Sequence, residues 1–248
     1  GIGTETDGDR QSGEYWDTVT VGVAAFTNDS NTVFLLHMDD VGLTDSSSNS
    51  MTTTLTGNTA RSATESKFGS YSAYFDGNGD FLSTPDLDTV DSSVTTPTTG
   101  NFTAEGWFKQ TSRSDGDRYF SFGNNGVPPA GSAPALTCGY NGAGGSTTFN
   151  SYGTTQGDNN ITFPTESTGW HHVAAVRTGS TLYYFYDGVL KGSHSFTGDM
   201  QYSSGTAIIG GRSGSGSEYF IGYVDEFRYS NNARYTTSGS VGDTVFVP

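Results

Sequence analysis

Gly169-Trp170-His171-His172-Val173-Ala174-Ala175-Val176-Arg177, followed by Thr181-Leu182-Tyr183-Tyr184-Phe185-Tyr186-Asp187-Gly188, decides the fold. Side chains alternate across a strand, so Trp170, His172, Ala174 and Val176 share one face while His171, Val173, Ala175 and Arg177 share the other. Both faces carry apolar groups, which predicts a strand buried on both sides. Thr178-Gly179-Ser180 is short enough for an antiparallel hairpin, and Asp187-Gly188 supplies the positive φ that a second two-residue turn requires. The centre of the chain therefore reads as an antiparallel meander.

Strand signals recur on either side of it, at Val33–Met38, Ser72–Phe75, Phe102–Lys109, Tyr119–Phe122, Ala135–Tyr140, Thr147–Tyr152, Asn160–Phe163, Thr206–Ile209 and Tyr219–Tyr229. Turn chemistry separates them, as in Gly77-Asn78-Gly79-Asp80, Ser114-Asp115-Gly116-Asp117, Gly139 to Gly145 and Gly210 to Gly216. Thr44–Asn58 and Asp86–Gly100 are rich in Ser and Thr and poor in apolar groups, and read as surface loops. No long window carries apolar residues at helical spacing, and Gly makes up 35 of the 248 residues, so very little helix is expected. The pattern predicts an all-β, two-sheet antiparallel sandwich over residues 31–248. Residues 1–30 open polar and acidic and hold one alternating segment, Tyr15–Val21, which reads as a connector or docking arm. No internal repeat of about 20 to 50 residues is visible, against a propeller or solenoid.

The net charge is −15, from 26 acids against 11 bases, so the field of the chain repels phosphate backbones and anionic lipid surfaces. Nucleic acid is an unexpected partner. Cys138 is the only cysteine, which rules out an intrachain disulfide scaffold. No stretch approaches the apolar length of a membrane span, and the opening Gly1-Ile2-Gly3-Thr4 carries no basic-then-apolar leader pattern, so the chain is expected to be processed or part of something longer.

Five blocks, in order, resemble the laminin-G-like, concanavalin A-like jelly-roll superfamily of the kind found in bacteriophage virion appendages. They are Leu35-Leu36-His37-Met38-Asp39, Ser66 to Leu82 with its Phe75-Asp76-Gly77-Asn78-Gly79-Asp80 core, Phe102-Thr103-Ala104-Glu105-Gly106-Trp107-Phe108, the central hairpin, and Gly222-Tyr223-Val224-Asp225-Glu226-Phe227-Arg228. The tail Asn232-Ala233-Arg234-Tyr235-Thr236 is similar to the ending of phage members. Gly106, where a bulky apolar residue is usual, and the Gly-rich stretch from Val127 to Gly145 depart from the pattern. The resemblance implies a jelly roll and leaves the activity open among lectins, adhesion modules, virion appendages and glycan hydrolases.

The residues argue against catalysis. Retaining glycosidases need two carboxyl groups about 5 Å apart on one strand face, and no strand has acids at alternate positions; Asp225 and Glu226, being adjacent, are expected on opposite faces. The four histidines, His37, His171, His172 and His194, neither cluster as metal ligands nor accompany a nucleophile-elbow motif, and read as hydrogen-bonded strand residues. Calcium is the one cofactor with an argument. Asp225 is expected to share a face with Tyr223, Phe227 and Tyr229 and so to need a partner on burial. Asp39, Asp76 and Asp225 are the candidate ligands, with Asp40, Asp45 and Asp80 nearby in sequence, and relatives of this type hold structural calcium. The alternative is that Asp225 accepts backbone N–H groups and that Asp39 and Asp76 are solvated loop acids. For a glycan, Tyr140, Tyr152 and Arg212 are the candidate contacts, drawn from loops that also offer Tyr202, Tyr219, Asn124, Asn125 and Asn141.

Three functions stay open at this stage. They are weak multivalent adhesion to glycans or a host surface as a virion tail-fibre or capsid-decorating module, a purely structural cement role, and a carbohydrate-binding domain of a bacterial extracellular enzyme. The first two expect other virion proteins as partners through residues 1–30, and a multicopy assembly or homo-oligomer.

Overall fold

A computed structural model describes residues 24–87, 100–114, 116–122, 136–142, 145–151, 159–164, 167–196, 206–211, 218–235, 240–241 and 244–248. Fifteen strands and no α-helix occur among them: β1 (Thr32–Leu36), β2 (Thr54–Thr56), β3 (Ala60–Ser62), β4 (Ser72–Asp76), β5 (Phe81–Ser83), β6 (Phe102–Gln110), β7 (Arg118–Phe122), β8 (Leu136–Asn141), β9 (Ser146–Ser151), β10 (Asn159–Pro164), β11 (His171–Thr178), β12 (Thr181–Tyr186), β13 (Val189–Ser195), β14 (Ala207–Ile209) and β15 (Ile221–Ser230). They form two antiparallel sheets. The eight-stranded sheet runs β13-β12-β11-β6-β15-β4-β3, with β1 pairing the second half of β15; the seven-stranded sheet runs β10-β9-β8-β7-β14-β5-β2. This is the expected jelly-roll sandwich.

The core between the sheets is built from aromatic side chains that meet across the gap. Phe120 lies 5.8 Å from Phe227, Phe122 5.3 Å from Tyr229, and Phe149 stacks on Tyr184 at 4.5 Å. The eight-stranded sheet is also covered on its outer face, as the double-sided apolar pattern of β11 requires. Ala174, Val176, Phe185 and Leu190 pack there under Tyr235, Val245 and Phe246, and Phe26, Leu35 and Trp107 pack under Phe68 and Trp170. Segments at both ends of the described chain therefore serve as lids on one sheet.

The two hairpin turns are as read. Gly179 takes φ +56°, and Asp187 and Gly188 take +50° and +73°. Four strands lie outside the predicted set. β2, β3 and β5 are three residues each, and β13 is an edge strand; β2 falls within Thr44–Asn58, whose Asp45, Ser47 and Met51 are buried rather than looped out. Asp45 explains this: its carboxylate accepts from the backbone N–H groups of Leu35, Ser47 and Met51, pinning the segment to β1. Of the other predicted loop, residues 88–99 lie outside the described residues.

The face assignment of β15 also needs correcting. Asp225 pairs with Trp107 and Arg228 with Glu105, so two residues, Glu226 and Phe227, stand opposite Gly106 alone. Glu226 is the extra residue, at φ +53°. The bulge flips the alternation beyond it. Val224, Phe227 and Tyr229 face the core, while Asp225, Glu226 and Arg228 all lie on the outer side. Tyr223 and Asp225 thus share a face with each other but not with Phe227 and Tyr229. Gly106 suits this arrangement, because a Cβ there would come within 3.1 Å of both the Phe108 and Phe227 rings.

Gly188 is held for a different reason: a Cβ on it would lie 1.9 Å from the carbonyl oxygen of Phe246, whose backbone hydrogen-bonds back to Gly188. Gly188→Ala is expected to cost about 1–3 kcal/mol in urea unfolding and to open the C-terminal lid to chymotrypsin. Unchanged stability and unchanged proteolysis would contradict the lid.

Candidate functional site

Glu105, on β6, is completely buried on the outer face and every element around it supplies a donor. Arg228 Nε and Nη2 donate to Oε1 at 2.9 and 2.6 Å, His172 Nε2 lies 3.1 Å from Oε2, and the Tyr235 hydroxyl donates to Oε2 at 2.5 Å. The Phe26 ring covers the Arg228 guanidinium at 4.2 Å. Burial alone would push the Glu105 carboxyl up, but the His172 hydrogen bond and the Arg228 charge outweigh it and hold it at about 2. Both oxygens are filled.

Glu226 follows the same logic. Its Oε2 accepts the Phe26 N–H at 2.8 Å, and its Oε1 lies 2.7 Å from His37 Nδ1. That contact raises the His37 imidazole above its ordinary value, aided by the charges of Asp39 and Asp225 and opposed by partial burial. Asp225 accepts the N–H groups of Lys67 and Phe68 on Oδ2, at 2.7 and 3.0 Å, while its buried Oδ1 has no partner. Desolvation pushes the Asp225 carboxyl up to about 7 against those two N–H bonds, with the charges of Glu226 and Asp39 adding to it.

The three aspartates expected to hold calcium are placed apart in function. Asp39 Oδ1 accepts from the N–H groups of Ser70 and Tyr71, at 3.0 and 3.1 Å. Asp76 belongs to the β4–β5 turn, accepting the Asn78 N–H at 2.7 Å and the Asn58 side chain at 3.1 Å, which lower its carboxyl below the ordinary value. Asp225 is committed to Lys67 and Phe68. No group of three or more His, Cys, Asp or Glu side chains able to hold a metal ion occurs among the described residues. As a set the three do not fit a calcium ion.

Of the expected glycan contacts, Tyr152 and Arg212 lie outside the described residues. Tyr140 is half-buried at the end of β8, its N–H bonded to the Asp117 carbonyl and the Arg113 guanidinium 5.5 Å from its ring centre. The sequence missed an arrangement involving Arg113 as well. Arg113 Nη2 donates to the Ser167 carbonyl, and Ser167, His171 and Asp187 stand in line, with Ser167 Oγ 3.2 Å from His171 Nε2 and Asp187 Oδ2 2.6 Å from Nδ1. This resembles a nucleophile relay but lacks a free base. The Ser167 carbonyl also lies 3.2 Å from Nε2, a contact that needs Nε2 to carry a proton. The adjoining cavity, of about 10 Å³, has room for one water and no substrate.

A larger concavity opens on the outer face beside the bulge. It has a volume of about 540 Å³ and is lined by His37, Asp39, Asp40, Phe68, Gly69 and Glu226, with Ala25 and Ser46 at its margin. Its polar groups come from the β1 exit, the 67–71 loop and β15, all tied together by the Asp39, Asp225 and Glu226 bonds just described. Sequence spacing could not have assembled it, since His37 and Glu226 are 189 residues apart.

The sequence profile of the concanavalin A-like lectin/glucanases superfamily, in its Laminin_G_3 form, matches residues 76–237. The chain belongs to this superfamily. No curated protein sequence matches it. Among solved structures, domain 4 of the extracellular GH43 arabinanase AbnA from Geobacillus stearothermophilus, in complex with arabinotriose, aligns with a TM-score of 0.62 at 18% identity over 82% of this chain and 93% of that one. The binding domain of Paraclostridial Mosquitocidal Protein 1 aligns with a TM-score of 0.62 at 14% identity. The receptor-binding domain of a botulinum neurotoxin C/D mosaic aligns with a TM-score of 0.59 at 12% identity. This superfamily member spans about half of each toxin domain, 49% and 48% respectively. At these identities the likeness establishes the fold.

Two outcomes test the reading of the acids. Glu105→Gln leaves Arg228 buried against a neutral amide and is expected to cost about 3–5 kcal/mol in urea unfolding at neutral pH; a change within experimental error would contradict the hub. For Asp225, the unfolded chain gives up its proton near the ordinary 3.8 and the native state keeps it to about 7. The native state therefore binds more protons in that window, and this carboxyl's contribution to stability declines as pH rises through it. Asp225→Asn is expected to flatten the decline in unfolding free energy between about pH 4.5 and 7; an unaltered slope would remove Asp225 as its source.

Proposed function

We propose that this protein is a non-enzymatic carbohydrate-binding sandwich that works outside the cell, displayed in many copies on a larger assembly such as a bacteriophage tail fibre or capsid appendage. The observation that carries the reading is the fate of the outer-face carboxylates. The bulge brings Glu105, Asp225 and Glu226 to one side, where a hydrolase would want them, yet all three are buried and committed to holding the fold. A retaining pair needs one carboxyl free to attack and one free to deliver a proton. Neither is left.

A rigid scaffold with a polar concavity suits recognition. Single contacts of this kind are weak, and repetition raises effective affinity by roughly 10²–10⁴ where geometry permits. The net charge of −15 supports a target that is neither nucleic acid nor an anionic membrane. Of residues 1–30, the part ahead of the Phe26 lid is the segment through which the module would join its assembly. A second reading, a carbohydrate-binding domain of a bacterial extracellular enzyme, is favoured by the likeness to the arabinanase domain, nearly all of which the chain covers.

The test is a glycan array probed with the single chain and with the same chain on multivalent beads, paired with an assay for new reducing ends. Weak monomer signals that sharpen on beads, with no new reducing ends, are expected. Release of reducing ends would refute the non-enzymatic reading, and silence in both formats would leave only a cement role.

A further inference from the structure

Resting on that carbohydrate reading, we infer that the glycan seat is the outer-face groove between His37, Asp39 and Phe68, and that it selects neutral or amino sugars over acidic ones. The groove's volume of about 540 Å³ lies within the range of small-ligand sites. It offers the two things a sugar ring needs, an apolar face and unfilled polar atoms beside it.

The apolar face is Phe68. Its ring is half-buried and lines the groove, and its back is braced by an edge-to-face contact with Trp107 at 5.8 Å. Its backbone is fixed by Asp225, so the platform is preorganised. The polar atoms are Asp39 Oδ2 and His37 Nε2. Asp39 spends Oδ1 on two backbone N–H groups and His37 spends Nδ1 on Glu226, and in each the other atom has no protein partner among the described residues. Gly69 makes the first possible. A side chain there would collide with Asp39, whose Oδ2 lies 2.2 Å from where its Cβ would sit. A buried acid would need its second oxygen paired, and one facing an open groove can instead accept a ligand hydroxyl.

Charge sets the selectivity. Asp39, Asp40 and Glu226 line the groove and Asp225 lies behind Phe68, while His37 is the one basic group in the lining. Of the nearby cations, Arg61 donates to the Asp39 carbonyl, and the Lys67 ammonium sits 4.0 Å over the Trp107 ring and 5.8 Å from the Phe68 ring centre, without an ion pair to a groove acid among the described residues. A carboxylated sugar would enter against Asp39 and Asp40, whose side chains pair with backbone N–H groups and no cation, whereas hydroxyl and ammonium donors would meet acceptors.

The experiment is an array of neutral, amino and sialylated or uronic glycans read with the full chain and with Phe68→Ala, Asp39→Asn, His37→Gln and Tyr140→Ala, each checked for an unchanged melting curve. Asp39→Asn retains the Oδ1 acceptor for Ser70 and Tyr71, so it keeps the test open if Phe68→Ala proves unstable. The inference expects binding to non-acidic glycans, losses of about tenfold or more for the groove variants, matching one charge-assisted hydrogen bond, and retention by Tyr140→Ala. Binding that survives the groove variants and is lost in Tyr140→Ala, or that prefers acidic glycans, would overturn it while leaving the carbohydrate reading intact. Absence of binding to any glycan by the parent chain would overturn both.

Discussion

A carboxylate sealed inside a protein must be matched donor for donor, and Glu105 meets that condition by recruiting almost every part of the outer layer. Arg228 comes from the last strand, His172 from the central hairpin and Tyr235 from the segment beyond β15, while Phe26 arrives from the N-terminal side to cover the guanidinium. None of these can shift without stranding a charge. The hub therefore fixes the register of β6, β11 and β15 and draws both lids onto the sheet. It also explains why that sheet has two buried faces in a sandwich whose main core lies on only one side of it.

The bulge at Glu226 grows from the same region. With Arg228 aligned to Glu105 and Asp225 aligned to Trp107, one residue is surplus, and it is absorbed at a left-handed position opposite Gly106. The surplus carboxylate then closes the N-terminal segment through the Phe26 N–H and holds His37 at the groove. A structural adjustment in the closing strand thus shapes the adjacent concavity. Stability and the proposed recognition share residues without sharing atoms: one oxygen or nitrogen of Asp39 and of His37 supports the fold, and the other has no protein partner among the described residues.

Much of the architecture was legible in the sequence because alternation is local. Trp170–Arg177 showed apolar groups on both faces, and Asp187-Gly188 announced its turn, and both readings need only the residues themselves. The short strands were hidden for the opposite reason: Thr54–Thr56 and Ala60–Ser62 are polar triplets made into strands by their neighbours. Val189–Ser195 escaped because an edge strand carries Lys191 and Gly192 rather than a clean apolar rhythm. The bulge was invisible since its cause lies on the partner strand, and with it went the correct faces of Asp225 and Glu226. The candidate site was less legible still. Tyr140 could be picked out as a rim aromatic, but the groove joins residues from the first, fourth and fifteenth strand regions, and their convergence is a property of the fold.

The claim on which the account turns is that Glu105, at the centre of the outer-face acids, is spent on structure and takes no part in proton transfer. The side-chain carboxyl carbon of Glu105, followed by NMR across a pH titration of the folded chain, tests it directly. The account requires that carbon to remain in its ionised position until pH falls to about 2, with the Tyr235 ring resonances moving in step. A titration centred in the range of a working acid or base, about pH 5 to 7, would contradict it.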